Sequence, residues 1–357
     1  MNLSSPTNLL FDLDGTLTDP AEGITRSVQH ALAAFGLSAS REELLCFIGP
    51  PLLDSFMERF GLSGEDARRA ITIYREYFIP RGMYENQVYP GIPELLDRLC
   101  RSGKKLYLAT SKPEPLAREI LVHFGLDQYF AFIGGSTLDE TRTRKDQVLR
   151  YVLETAHIPP EDALLIGDRL HDAEGARAVG IPCIGVLWGY GDRQELSSAG
   201  AAAIARSLPE LEALLLTEPR WFSPPEEPLD AFAIRQAVFV EEQGFHDEFD
   251  DRDAACEHLV LYEKGRAVAC ARIYPESGSV WHLGRLAVVR DCRGRSFGSR
   301  ALAEAEDRVR ALGGTTLRLS AQVQARSFYE KLGYRPASPE YLEQHCPHLD
   351  MEKSLTL

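Results

Sequence analysis

Asp12 and Asp14, in NLLFDLDGTLTD (residues 8–19), close an apolar run with one residue between them. In an extended strand alternate residues face the same side, so both carboxylates converge on one spot. Two such anions repel each other unless a cation relieves them. Mg2+ takes oxygen ligands of this kind and keeps waters that a phosphate can replace. Gly15 permits a sharp turn, and Thr16 offers a hydroxyl beside it. Taken alone, the motif reads by default as a capped strand end followed by a turn. Further groups of matching chemistry end later segments. LYLATSKP finishes with Thr110 and Ser111; TRTRKDQ sets Lys145 at a helix start; LLIGDRLHD ends with Asp168 and, four residues on, Asp172. Hydroxyls, a lysine and carboxylates gathered at strand ends are what metal-assisted transfer of a phosphoryl group requires.

A second device lies at RDCRGRSFGSRALAEAE (residues 290–306), a glycine-bearing turn that opens a helix. No metal-binding carboxylates cluster there. Its backbone N–H groups and helix start suit holding a pyrophosphate, although any glycine-containing loop before a helix looks similar.

The elements that must position these groups fall into two textures. Up to residue 217, short apolar strands alternate with amphipathic helices, which predicts an α/β fold with a parallel sheet covered on both faces. The predicted strands are residues 9–13, 105–109, 131–134, 163–167 and 183–187. Residues 20–86 read as helices only: GITRSVQHALAAFGL, SREELLCFIG and SGEDARRAITIYREYF, with Ser40 and Ser63 as helix-start signals. Such a block after the first strand sits over the strand ends, where ligands bind in open α/β sheets. After TEPRWFSPPEEPLD the pattern becomes a short strand at 220–223, a helix entered through SPPEEP, a hairpin around Lys264 and Gly265, then strand, helix, strand and short helix. The expected domains are 1–217 and 218–357.

The chain has 357 residues, 44% hydrophobic and 26% charged, which suits two globular domains. The net charge is −14, and acidic residues outnumber basic ones in both halves. That argues against a nucleic-acid or anionic-membrane partner. Seven widely spaced cysteines without a C-x-x-C pair suggest buried thiols rather than disulfides or zinc. No basic, apolar leader and no membrane-length apolar run is present in the sequence, so a cytoplasmic location is expected. Oligomeric state is not legible.

Over residues 1–217, FDLDGTLTD, FIGPPLLDSF, YPGIPELL, ATSKP and GDRLHD resemble the haloacid dehalogenase superfamily, in its phosphoglycolate phosphatase and 5′-nucleotidase-like group. The resemblance implies a Rossmann-like core with a small helical cap. It makes Asp12 the nucleophile that forms an aspartyl-phosphate and Asp14 the acid and base. Thr110 and Lys145 would hold phosphoryl oxygens, with Gly15, Thr16 and Ser111 at the substrate. Mg2+ would be bound by Asp12, the Asp14 carbonyl and Asp168, with Asp172 behind them. IGPP (residues 48–51) reads either as a cap loop reaching the substrate or as a turn between helices.

Over residues 218–357, WHLGRLAVVRDCRGRSFGSRAL and LRLSAQVQARSFYEKLGY resemble the GNAT N-acetyltransferase superfamily, an α+β fold that binds acetyl-CoA. By that resemblance Arg293, Gly294, Arg295, Ser296, Phe297, Gly298 and Ser299 form the pyrophosphate loop. Leu286, Ala287 and Val288 form the strand edge that pairs with the pantetheine arm. Ser296 departs from the family, which usually has glycine there; if that position needs positive φ, serine is unfavourable. Tyr329 falls where a general acid often lies, or is an aromatic anchor. His282 falls where many members place a base, or is structural. The acidic run EEQGFHDEFDDRD (residues 241–253) reads as a solvated loop, with the lining of a cationic acceptor site as the alternative. The combined expectation is a bifunctional enzyme. It would hydrolyse a small phosphate ester and transfer acetyl groups to an amine acceptor. The alternative is a phosphatase whose second domain binds acyl-CoA without catalysis and serves regulation or association.

Overall fold

The computed structural model describes residues 3–139 and 141–356. Contacts divide the described residues into two units, one within 5–212 and one formed by 213–356 with 3–4. In chain order the first unit contains β1 (Asn8–Phe11), β2 (Thr18–Asp19), α1 (Ala21–Ala33), α2 (Leu52–Phe60), α3 (Gly64–Tyr77) and β3 (Gln87–Val88). There follow α4 (Ile92–Arg101), β4 (Lys105–Pro113), α5 (Glu114–His123), β5 (Phe130–Ser136), α6 (Lys145–Thr155), β6 (Ala163–Gly167) and α7 (Leu170–Val179). It closes with β7 (Cys183–Val186), α8 (Arg193–Ala199), β8 (Ala203–Ala205) and α9 (Leu208–Leu216), a helix that crosses the division.

Six strands make one parallel sheet in the order β5-β4-β1-β6-β7-β8. β1 is buried throughout, as a central parallel strand covered on both faces must be. Phe11 aligns with Leu108 of β4 and Ile166 of β6, so Asp12, Thr110 and Asp168, one or two residues further along each chain segment, come to one rim. The cap helices α1 to α3 leave and return through a two-stranded stem, with Thr18 opposite Val88 and Asp19 opposite Gln87. Ser63 caps α3 by accepting the Asp66 N–H, as its position suggests. Residues 40–49 give only a short 3₁₀ turn, Glu43–Phe47, and not a helix. Gly49 at φ 104 and two following prolines stop it, and α2 begins directly after Pro51.

The second unit contains β9 (Thr217–Phe222), α10 (Leu229–Arg235), β10 (Glu257–Glu263), β11 (Arg266–Ser277), β12 (Val280–Val288) and α11 (Phe297–Ala311). β13 (Thr316–Gln322), α12 (Arg326–Lys331), β14 (Arg335–Pro336), β15 (Tyr341–Glu343) and β16 (Cys346–Ser354) complete it. The sheet order is β14-β16-β13-β12-β11-β10-β9, with β15 beside β16. β12 and β13 are parallel, and the other pairs antiparallel. α11 packs Phe297, Ala301, Leu302, Ala305 and Val309 into the core with Leu317, Leu319 and Met351. Lys264 and Gly265, both at positive φ, turn β10 into β11. α10 starts at Leu229, later than SPPEEP suggested. The Ser223 hydroxyl donates to Glu257 instead of capping a helix.

Candidate active sites

The phosphate-site residues meet at the C-terminal rim of the first sheet. Asp12 N–H donates to the Ile166 carbonyl at 2.9 Å, which fixes Asp12 against β6 beyond the last strand residue. Lys145, the first residue of α6, donates to Asp12 Oδ1 at 2.6 Å and the Ala109 carbonyl at 2.8 Å, and pairs with Asp172 Oδ1 at 2.7 Å. Burial pushes Asp12 up to about 6 against the pull of Lys145. Asp168 is pushed well above the usual carboxylate range by burial and by Asp172 and Asp12. Burial alone would lower Lys145, but Asp12 and Asp172 overcome it and hold the ammonium charged.

Three glycines make the space for these carboxylates. A Cβ on Gly15 would lie 2.2 Å from Asp168 Oδ2, and one on Gly189 2.3 Å from the same oxygen. A Cβ on Gly167 would lie 2.3 Å from Asp172 Cγ. Gly15 also holds φ 87, so it serves the turn as well.

The arrangement suits a divalent cation. Oxygens of Asp12, Asp168 and Asp172 lie within 4.8 Å of one another in a buried cluster. Asp14 Oδ1 is buried without a hydrogen-bond partner. Hard oxygen donors in this number match Mg2+.

Asp12, Asp14, Thr110, Ser111, Lys145 and Asp172 line a cavity of about 240 Å³ between the rim and the cap. Gly15, Thr16 and Asp168 stand behind its wall; the Thr16 hydroxyl donates to Asp168 Oδ1 at 3.2 Å. Gly49, Pro50 and Pro51 of the IGPP segment also line the cavity. Arg169, which donates to the Ile48 carbonyl at 2.7 Å, ties that segment to the core.

Sequence reasoning missed Lys112. Its ammonium meets Asp14 Oδ2 at 2.5 Å and stands 4.8 Å from the Phe78 ring centroid. Two residues beyond Thr110 on a strand, it was due to share that face, and this was the available signal. The loop after β7 was also missed. Tyr190 N–H donates to Asp168 at 2.8 Å, and Trp188 Nε1 to the Thr16 carbonyl at 3.0 Å.

The second unit holds a cleft of about 1700 Å³. β12 pairs with β13 only from Val280 to Leu283. Beyond that, Arg285 at φ 56 lies where the β11 register shifts, and Leu286, Ala287 and Val288 line the cleft without β13 partners. A strand edge of this kind can pair with an amide-bearing ligand. The following loop has Gly294 at φ 77 and Ser296 at φ 61 directly before α11. The serine occupies the left-handed conformation and caps nothing with its side chain. Gly294, Ser296, Phe297, Gly298 and Ser299 line the cleft, as does Arg293, whose guanidinium is held by Glu242 at 2.7 and 2.9 Å. Arg295 turns to Glu263, away from the lining.

Tyr329 is buried at the cleft wall, where burial raises its hydroxyl above the ordinary tyrosine value. It also packs edge-on against Phe328 and Tyr334, with centroids 5.0 and 5.9 Å away. His282 lies across the cleft lining on β12, stacked on Tyr274 at 5.1 Å, and burial lowers its pKa. A ring so lowered is neutral at pH 7, and burial makes it a weaker base than a free imidazole.

The acidic run is largely an exposed loop, but Glu248, Asp250 and Asp253 pair with arginines, and Asp247, Glu248 and Asp250 line the cleft. Glu248 is buried between Arg235 at 2.7 Å and Arg285 at 2.9 Å. Asp253 pairs with Arg235 and Arg272, and Asp250 with Arg272, all at 2.7 Å. Burial opposes ionisation of Asp253, but the hydrogen bonds from Arg235 and Arg272 outweigh it and bring it down to about 2. Arginines set among apolar residues in AFAIRQ and VACARIY were the overlooked signal, since buried guanidinium needs carboxylate partners.

A haloacid dehalogenase-like hydrolase family model matches residues 9–186, and an acetyltransferase (GNAT) domain model matches residues 228–355. The chain is 52% identical over 190 residues to a 5′-nucleotidase of Pseudomonas aeruginosa, covering 53% of this chain and 86% of that protein. It is 42% identical over 214 residues to the tyrosine-protein kinase PtkA of Mycobacterium tuberculosis, covering 59% and 73%. The crystal structure of a predicted phosphatase from Clostridium acetobutylicum superposes with a TM-score of 0.57 at 47% identity, covering 58% of this chain and 96% of that one. The chain therefore belongs to the haloacid dehalogenase-like hydrolase family and carries a GNAT acetyltransferase domain in its second half.

Proposed function

We propose that the first site hydrolyses a small phosphate monoester through an aspartyl-phosphate on Asp12. The observation that carries this is Asp12, held by Lys145 at 2.6 Å and facing the cavity with Asp14 two residues away. Asp12 attacks phosphorus, and the ester P–O bond breaks. Asp14 gives its proton to the departing alkoxide, then takes one from the water that attacks the acyl phosphate. Phosphate leaves, Asp12 is again a carboxylate and Asp14 again holds its proton. Lys145, Lys112 and the Thr110 hydroxyl orient the phosphoryl oxygens. Asp12, the Asp14 carbonyl and Asp168, supported by Asp172, would hold Mg2+, whose charge offsets the repulsion between nucleophile and phosphate.

For the second unit we propose acetyl transfer from acetyl-CoA to an amine. The unpaired edge of β12 and the loop before α11 hold the cofactor, His282 takes the amine's proton, and Tyr329 protonates the departing thiolate.

Asp12→Asn keeps the side chain's shape and removes the nucleophile. Phosphate release with Mg2+ should fall by ~10³-fold or more, with the circular dichroism spectrum unchanged. Wild-type release by the variant would refute the assignment.

A further inference from the structure

We infer that Arg169 and Tyr190 are positioning residues that fasten the cap, at its tip and at its stem, to the loop carrying Asp168, and that they couple the cap's placement to occupancy of the metal site. Their effect on turnover rests on the hydrolase reading above; the coupling itself can be read without a substrate. Arg169 holds the tip. It follows Asp168 in the chain, and its N–H donates to Asp172 Oδ2 at 3.0 Å, so the carboxylate cluster fixes its backbone. Its Nε donates to Glu195 Oε1 at 2.9 Å, and the same oxygen accepts the Leu170 N–H at 2.8 Å. Oriented in this way, its Nη1 reaches the Ile48 carbonyl at 2.7 Å. That carbonyl opens the IGPP segment, where Pro50 and Pro51 have no N–H to close a turn onto it. The guanidinium supplies the missing donor, and a charged donor makes the stronger bond. Gly49 permits the approach: at φ 104, a Cβ there would lie 3.1 Å from Arg169 Cγ. Gly49, Pro50 and Pro51 line the cavity and α2 starts at Leu52, so this bond sets the position of one cavity wall.

Tyr190 holds the stem. Its N–H donates to Asp168 Oδ2 at 2.8 Å, and its hydroxyl donates to Asp19 Oδ1 on β2, the strand that leads into the cap. The same Asp19 oxygen accepts the Ala21 N–H at 3.0 Å, where α1 begins. Asp168 therefore adjoins both fastenings, through a peptide bond to Arg169 and a hydrogen bond from Tyr190. Oxygens of Asp12, Asp168 and Asp172 lie within 4.8 Å of one another and repel when charged. A cation that offsets this repulsion steadies the loop from which both fastenings start, and through them the cap.

The test reads hydrogen exchange by mass spectrometry on the full chain, with EDTA or with Mg2+ and no substrate. In the wild type, Mg2+ should slow exchange over residues 47–56 by about tenfold. The slowing should vanish in Arg169→Met, return in part in Arg169→Lys, which keeps one charged donor, and weaken in Tyr190→Phe. Exchange over β6 should be the same in all four proteins, as a control for folding. Phosphate release from phenyl phosphate and from 2-phosphoglycolate is then compared. Arg169→Met should lower kcat/KM for both by the same factor, about tenfold, because a misplaced wall affects any ester. A loss confined to 2-phosphoglycolate would overturn the inference and make Arg169 an anion anchor. Slowing by Mg2+ in Arg169→Met equal to that in the wild type would overturn it too. If the wild type releases no phosphate while the exchange pattern holds, the result counts against the hydrolase reading and supports the coupling.

Discussion

The two sites use charge in opposite ways. At the phosphate site, Asp12, Asp14, Asp172, Lys112 and Lys145 face a cavity of about 240 Å³, with ion pairs of 2.5 to 2.7 Å. In the cleft of about 1700 Å³, charged side chains of the lining neutralise one another or pair with neighbours, as Glu248, Asp250, Arg272, Arg285 and Arg293 do. Arg235, Arg272 and Arg285 are neutralised by Glu248, Asp250 and Asp253, and Arg293 by Glu242. Breaking a phosphate ester requires charged side chains aimed at one atom. Holding a cofactor's phosphates asks instead for a backbone of the right shape, with side-chain charge put to structural use.

The largest effect that could break this contrast is expected at Lys145. Lys145→Met removes the cation from between Asp12 and Asp172, so phosphate release should fall by ~10²- to 10³-fold, as when one preorganised donor is lost. Acetyl transfer should be untouched. Retained phosphatase turnover would mean that the lysine only holds the fold.

Tyr329→Phe comes next. If the hydroxyl acts, acetyl transfer should fall by ~10²-fold while coenzyme A binding by calorimetry is kept. Full transfer would make the tyrosine a packing residue, and the second site would then work through shape and cofactor placement alone.

Asp253→Asn probes the framework charges. Removing one member of a buried network should destabilise the second unit by ~3–5 kcal/mol, read from urea unfolding. The pH dependence has a definite sign. Asp253 is held at about 2 in the folded state, below the unfolded value of ~3.9, so its contribution is present above pH ~4 and lost as pH falls towards 2. The variant should lack that acid loss; an unchanged acid profile would show that Asp253 does not provide it.

The smallest effect is expected at Ser296→Gly. The change relieves a left-handed serine at φ 61, so coenzyme A affinity should be equal or better. Clearly weaker binding would show that the serine hydroxyl contacts the cofactor.

How much could be read in advance differs between the sites for the same physical reason. Asp12, Asp14, Lys145 and Asp172 are charged residues at the ends of apolar runs, where only function or a partner explains them. Lys112 escaped notice because its neighbour Thr110 seemed to complete that strand's contribution. In the second unit, the bulge at Arg285 and the early end of β12–β13 pairing come from long-range register, which local patterns do not encode. The acidic run misled because charge clusters usually meet water. Its partners Arg272 and Arg285 lie on later strands, 19 to 37 residues away. The cap followed the helical pattern except at residues 40–49, where two prolines outweighed an amphipathic start.

The glycines around Asp168 and Asp172 bear on how mutational tolerance should be interpreted. The carboxylates occupy room that exists only because positions 15, 167 and 189 have no Cβ. A saturation screen for phosphatase activity should find these three as intolerant as the aspartates, although they contribute no reactive group. Essentiality at such a site therefore overstates the number of participants in the reaction. Laboratory evolution towards new substrates should leave the backbone around the carboxylates fixed and find its freedom in the cap wall.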